Sequence, residues 1–122
     1  MSALLAIMNS GSAAAGALKV VIAGFGFRAG YGSTGVFLLT STVTGATGAL
    51  TYTWSVAGTS GGSWTSSGAT ATLTATVTGV LSGGGSAEAT YTLTAHDAGS
   101  GATAASNPGF CTWINLSGGF LP

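Results

Sequence analysis

His96 and Asp97 are the one place in this sequence where a general base and a carboxylate stand side by side. With Lys19, Arg28, Glu88 and Cys111 they make up nearly all of its charged or strongly nucleophilic side chains. Adjacent residues on a strand point to opposite faces, so this pair is badly placed to act as a catalytic couple. Asp97 opens the run Asp97-Ala-Gly-Ser-Gly101, where an Asp commonly accepts hydrogen bonds from the following backbone as an Asx turn. A calcium site there would need about six to eight oxygens and usually a second carboxylate, which the neighbourhood lacks. Cys111 is the single cysteine. It has no disulfide partner within the chain and too few companions for a structural zinc site, so it reads as a small buried or interface hydrophobe.

Two further motifs could bind something. Gly24-Phe-Gly26-Phe-Arg-Ala29 follows the apolar run Val20-Val-Ile-Ala23 and fits the dinucleotide pattern G-x-G-x-x-G/A,. Gly30, Gly32 and Gly35 follow at once, so no helix N-terminus is available for a pyrophosphate, and no acidic residue near 45 to 50 could hold a ribose,. A glycine-rich arm whose Phe25, Phe27 and Tyr31 insert into a neighbour or the chain's own sheet is the better reading. Trp64, in the Gly/Ser-rich stretch Gly61 to Ser66, and Trp113 could stack on sugar rings if exposed. The competing assignment has Trp64 covering one open end of a sandwich and Trp113 anchoring an interface. Asn115-Leu-Ser117 matches a glycosylation sequon, which matters only in a secreted eukaryotic protein,. No cofactor or metal is expected, and no nucleophile, base and acid can be combined into an enzyme.

Charge narrows the partners. Two basic and two acidic residues in 122 give a formal net charge of zero. Nucleic acid is set aside, because phosphate neutralisation needs clustered Lys and Arg. The apolar stretch Ala3 to Met8 is far short of the roughly 20 residues of a membrane span and lacks the basic start of a signal peptide,. The chain starts with Met, as expected of a product made and used without signal cleavage. With 46% hydrophobic residues it should pack rather than remain disordered,. A nearly uncharged surface associates readily.

The elements that position these residues are strands. Leu50, Tyr52, Trp54 and Val56 alternate with Thr51, Thr53 and Ser55, giving one inward and one hydroxyl face. The pattern recurs with Ala71, Leu73, Ala75 and Val77, and with Ala89, Tyr91, Leu93 and Ala95. Tyr52, Trp54, Leu73, Val77, Tyr91 and Leu93 are the expected core. Leu18 to Ala23 and Val36 to Leu39 supply earlier strands, Gly45 to Gly48 a turn, and residues 57–63 and 82–86 Gly/Ser-rich connections. Short strands separated by turns point to a sandwich or barrel.

From about Val36 to Pro108 the order is an apolar strand, a Gly-rich turn, Tyr52-Thr-Trp54, a Gly/Ser loop and a Thr-rich strand. Ala89-Thr-Tyr91 through Asp97 to Gly101 and then Ala102 to Ser106 complete it. This resembles an immunoglobulin-like domain of the PKD/Big type found in bacterial and bacteriophage accessory structural proteins. The resemblance implies an antiparallel β-sandwich with Trp54 between the sheets and no disulfide. It also implies a place in a virion assembled in the host cytoplasm.

The expected division is an N-terminal arm and first strand over 1–32, the sandwich over 33–107, and a C-terminal interface segment over 108–122. Leu4, Leu5, Ile7, Phe25, Phe27, Tyr31, Phe110, Trp113 and Phe120 are candidate contacts to partner chains. The expected function is a non-enzymatic capsid decoration protein, bound to the major capsid protein and to itself, with Trp64 a weak candidate for contact with host-surface glycans. A tail or vertex protein, contacting the tail protein, and a bacterial secreted carbohydrate-binding module are the alternatives.

Overall fold

The computed structural model describes residues 17–68 and 70–118. Among the described residues there is no helix; nine strands form two sheets. They are β1 (Lys19–Ala23), β2 (Gly26–Gly30), β3 (Gly35–Thr44), β4 (Leu50–Ser60), β5 (Ser63–Ser67), β6 (Thr72–Thr78), β7 (Gly85–Asp97), β8 (Thr103–Ala105) and β9 (Gly109–Asn115). One sheet has the order β1-β3-β6-β5 and the other β2-β9-β7-β4, with β8 also on β7. All pairings are antiparallel except β2 with β9, which is parallel.

Alternation sets the faces. In β6 Leu73, Ala75 and Val77 are buried, and in β7 Ala87, Ala89, Tyr91, Leu93 and Ala95 are. The Thr residues between them face outward, where their β-branched side chains suit the pleat and their hydroxyls reach water. Phe37 and Leu39 of β3, Val20 and Ile22 of β1 and Cys111 of β9 complete the main core. Burying each larger aliphatic or aromatic side chain contributes about 1.5–3 kcal/mol.

β1 is the strand expected over Leu18 to Ala23, whereas β2 and β9 fall in segments read from the sequence as a glycine-rich arm and a C-terminal interface segment. β1 and β2 lie on different sheets, so the chain crosses between them at Gly24 and Phe25. β9, read from sequence as an interface segment, lies between β2 and β7 and turns Cys111, Trp113 and Asn115 inward. Its period-2 pattern is masked in the sequence by the mixed residues Phe-Cys-Thr-Trp-Ile. The stretch holding Trp64 is strand β5 rather than a loop.

Val56 is also corrected. It is 49% exposed, because β4 is an edge strand and a bulge interrupts its register between Val56 and Thr59,.

The two ends of the sandwich are tied differently. At one, Ala17 lies against Gly45, and Asp97 joins the 47–48 and 99–100 turns. At the other, Asn115 accepts hydrogen bonds from Gly32 N (3.1 Å) and Ser117 N (3.0 Å) and from the Ser117 hydroxyl, and donates Nδ2 to Val80 O (2.8 Å). Residues 17 and 118 therefore sit at opposite poles.

Candidate functional site

The indole of Trp64, on the edge strand β5, is half-buried against the core. Its ring lies 6.0 Å from that of Phe37 and 6.4 Å, edge to face, from that of Tyr91, and it packs on both apolar clusters. Trp64, the candidate for glycan contact, is thus half-buried, with part of its surface packed on the core. Trp54 and Tyr52 are half-buried at the margin of the core, with Trp54 Nε1 donating to Thr70 O (2.9 Å). Leu73, Val77, Tyr91 and Leu93 are fully inside, as expected.

Trp113 is likewise half-buried. A Cβ on Gly30 would stand 2.7 Å from its ring, and one on Gly35 2.4 Å, so the two glycines form the slot that receives the indole. Nε1 donates to Gly32 O at 3.1 Å. This contact arises because β2 passes directly beside β9.

The groups with catalytic potential are dispersed. His96 is exposed, with Nδ1 3.1 Å from the Thr103 hydroxyl, while Asp97 is buried on the other face. Asp97 accepts Thr47 N (2.9 Å) and the Thr47 (3.1 Å) and Ser100 (2.8 Å) hydroxyls at Oδ2, and Gly48 N (2.8 Å) and Gly99 N (3.0 Å) at Oδ1. The Thr47 backbone bond first, and then the Ser100 hydroxyl and the other amides, hold this carboxyl far below the ordinary range, against burial, which acts the other way. Its acceptor positions are thus committed to turn geometry.

Burial pushes the Cys111 thiol up to about 11 despite the Gly26 amide and the Arg28 charge, and it raises the Tyr91 phenol too. Such a thiol is a poor nucleophile.

The glycine motif at 24–29 runs into β2, and no helix follows it. Arg28 folds its guanidinium over the Phe37 ring at 5.4 Å. Among the described residues no three His, Cys, Asp or Glu side chains gather as metal ligands. Asn115 of the sequon is buried and hydrogen-bonded through its amide nitrogen.

What remains on the outside is a surface of hydroxyls, with the exposed aliphatics Val21, Val36 and Leu38 on β1 and β3 and aromatic side chains on and beside β2 and β9. Phe27 is 69% exposed, Tyr31 76% and Phe110 58%, with Phe25 at 36%. Leu4, Leu5, Ile7 and Phe120, the other interface candidates, lie outside the described residues.

Across the outer face, paired residues form a row Ser60, Glu88, Thr112, Phe27, running from β4 through β7 and β9 to β2. The neighbouring pair Thr90 and Phe110 lies alongside it. Where β4 bulges at Ala57 and Gly58, a cavity of about 260 Å³ is lined by residues 57–60 and Glu88 to Thr90. This row was not legible as a unit, since its members are scattered over more than 80 positions and only strand pairing joins them.

Comparison with protein-family models, with curated proteins and with solved structures gives no match.

Proposed function

We propose that this chain is a non-enzymatic structural protein of a bacteriophage virion, a decoration or accessory subunit on the capsid surface built on an immunoglobulin-like sandwich. The observation that carries this reading is the surface. Both outer faces carry rows of Thr and Ser, such as Thr74 and Thr76 paired with Ser67 and Thr65 of β5 and Thr92 and Thr94 paired with Ser55 and Thr53 of β4, beside the exposed aliphatics Val36 and Leu38 of β3. The whole sequence carries only four full charges. Such a surface suits a subunit held at high local concentration among others, where burial leaves few unpaired charges.

Two features add support. The orders β1-β3-β6-β5 and β9-β7-β4 correspond to the ABED and GFC sheets of the immunoglobulin arrangement,. Attachment is assigned to the apolar N-terminal segment with Leu4, Leu5 and Ile7, aided by Phe25 just before β2. Residues 17 and 118 lie at opposite poles, so a subunit held by its N-terminal segment presents its far pole outward.

The test is quantitative mass spectrometry of gradient-purified particles, counting this chain against the major shell protein. Near-stoichiometric abundance is expected, together with loss of incorporation when residues 1–16 are deleted. A handful of copies per particle would instead favour a tail or vertex position. Absence from particles would reject the virion reading. Deleting residues 107–122 is unsuitable as a companion test, since it removes β9 from the sheet.

A further inference from the structure

We propose that the outer face of the five-stranded sheet carries a saccharide-binding site built from Phe27, Phe110, Glu88, Thr90 and Thr112 beside the β4 bulge. This deepens the reading of an outward-facing accessory protein, but the chemistry belongs to the residues and does not depend on the particle.

Glu88 is the starting point. It is exposed and, among the described residues, its carboxylate makes no hydrogen bond or ion pair. Its cross-strand partners are Ser60 on one side and Thr112 on the other, and Phe27 stands next to Thr112. At about 4.8 Å between strands, the row from Ser60 to Phe27 spans about 14 Å, the length of a short oligosaccharide. Phe110 lies opposite Thr90, one pleat along on the same face.

The combination has a specific chemistry. Exposed aromatic faces take the apolar C–H face of a sugar ring. A carboxylate accepts two neighbouring ring hydroxyls in charge-assisted hydrogen bonds, and threonine hydroxyls both donate and accept. The bulge leaves a cavity of about 260 Å³ against Glu88, Ala89 and Thr90, with exposed backbone at Ala57 and Gly58. That volume is just below the roughly 300 Å³ lower bound of drug-sized sites, which suits a single sugar ring or substituent.

A dry protein interface is a worse occupant, because it would strand the Glu88 carboxylate away from water without a partner. A cationic peptide could pair with Glu88, yet one exposed carboxylate on a neutral protein attracts it weakly, and the flanking hydroxyls would contribute little. A hydrated polyhydroxyl ligand uses every group in the row.

The experiment uses the full chain, isotope-labelled and free of particles. It is screened against a panel of neutral and acidic oligosaccharides, and the strongest binder is titrated by NMR. The expected result is binding by a neutral oligosaccharide, with shifts centred on Ser60, Glu88, Thr90 and Thr112. Affinity should be about tenfold or more weaker in Glu88→Gln and in Phe110→Ala, since one charge-assisted bond or one stacked ring is worth that much.

Both positions are exposed, so both variants should retain the parent's Tm. If Phe110→Ala does not fold, Phe110→Leu, which keeps the bulk without the ring, serves instead. No binding at millimolar sugar, shifts elsewhere, unchanged affinity in the variants, or saturation by an oligolysine peptide in place of sugars would each overturn the proposal. Because no particle is involved, sugar binding can fail while incorporation into particles succeeds, and the reverse.

Discussion

Thr47 donates twice to Asp97, its amide at 2.9 Å and its hydroxyl at 3.1 Å from the same carboxylate oxygen, across fifty positions of sequence. Gly48, Gly99 and the Ser100 hydroxyl complete the set. One side chain thereby fixes the 47–48 turn to the 99–100 turn and closes that pole of the sandwich.

A pH dependence follows. The folded carboxyl titrates well below its ordinary value of 3.8, so the unfolded chain takes up its proton first as pH falls. The stability this gives is complete above about pH 4 and is lost as pH drops through the acid range. Thermal melts from neutral to about pH 2 should hold level and then decline below about pH 4. Asp97→Asn, which cannot titrate and would turn an amide N–H toward these donors, should melt lower at neutral pH and lose most of the acid slope. An unchanged slope would remove Asp97 as its cause.

Gly35→Ala should destabilise through contact with Trp113, since the new Cβ would stand 2.4 Å from the indole. Overpacking of this kind costs about 1–3 kcal/mol. The loss should shrink in a Trp113→Leu background, where the slot is relieved, and denaturant unfolding of the double-mutant cycle measures that coupling. Equal losses in both backgrounds would mean that Gly35 matters for its backbone alone.

Trp64→Ala should cost about 3–5 kcal/mol, the range for removing a core aromatic. Trp54→Ala, removing a ring at the margin, should cost less. Equilibrium unfolding ranks the two. The reverse ranking would make Trp54 the larger contributor to the core and overturn this expectation.

The legible part of this molecule was the part that repeats locally. Leu73, Ala75 and Val77 in β6 and Ala89, Tyr91, Leu93 and Ala95 in β7 are buried as their period-2 spacing requires. The turn-forming use of Asp97 followed from the glycine and serine after it. Trp64 was illegible because Gly and Ser flank it and its partners Phe37 and Tyr91 are 27 residues away on either side.

By itself the sequence determined that this is a charge-poor, strand-forming chain with hydroxyls outward along its alternating strands, because composition and alternation act over a few residues. Only the tertiary structure decided that β2 would lie parallel to β9, that Trp113 would be enclosed by Gly30 and Gly35, and that Glu88 would share a row with Phe27. Those outcomes depend on pairing between strands remote in the chain. Its free energy comes from hydrogen bonds and burial that no local window contains.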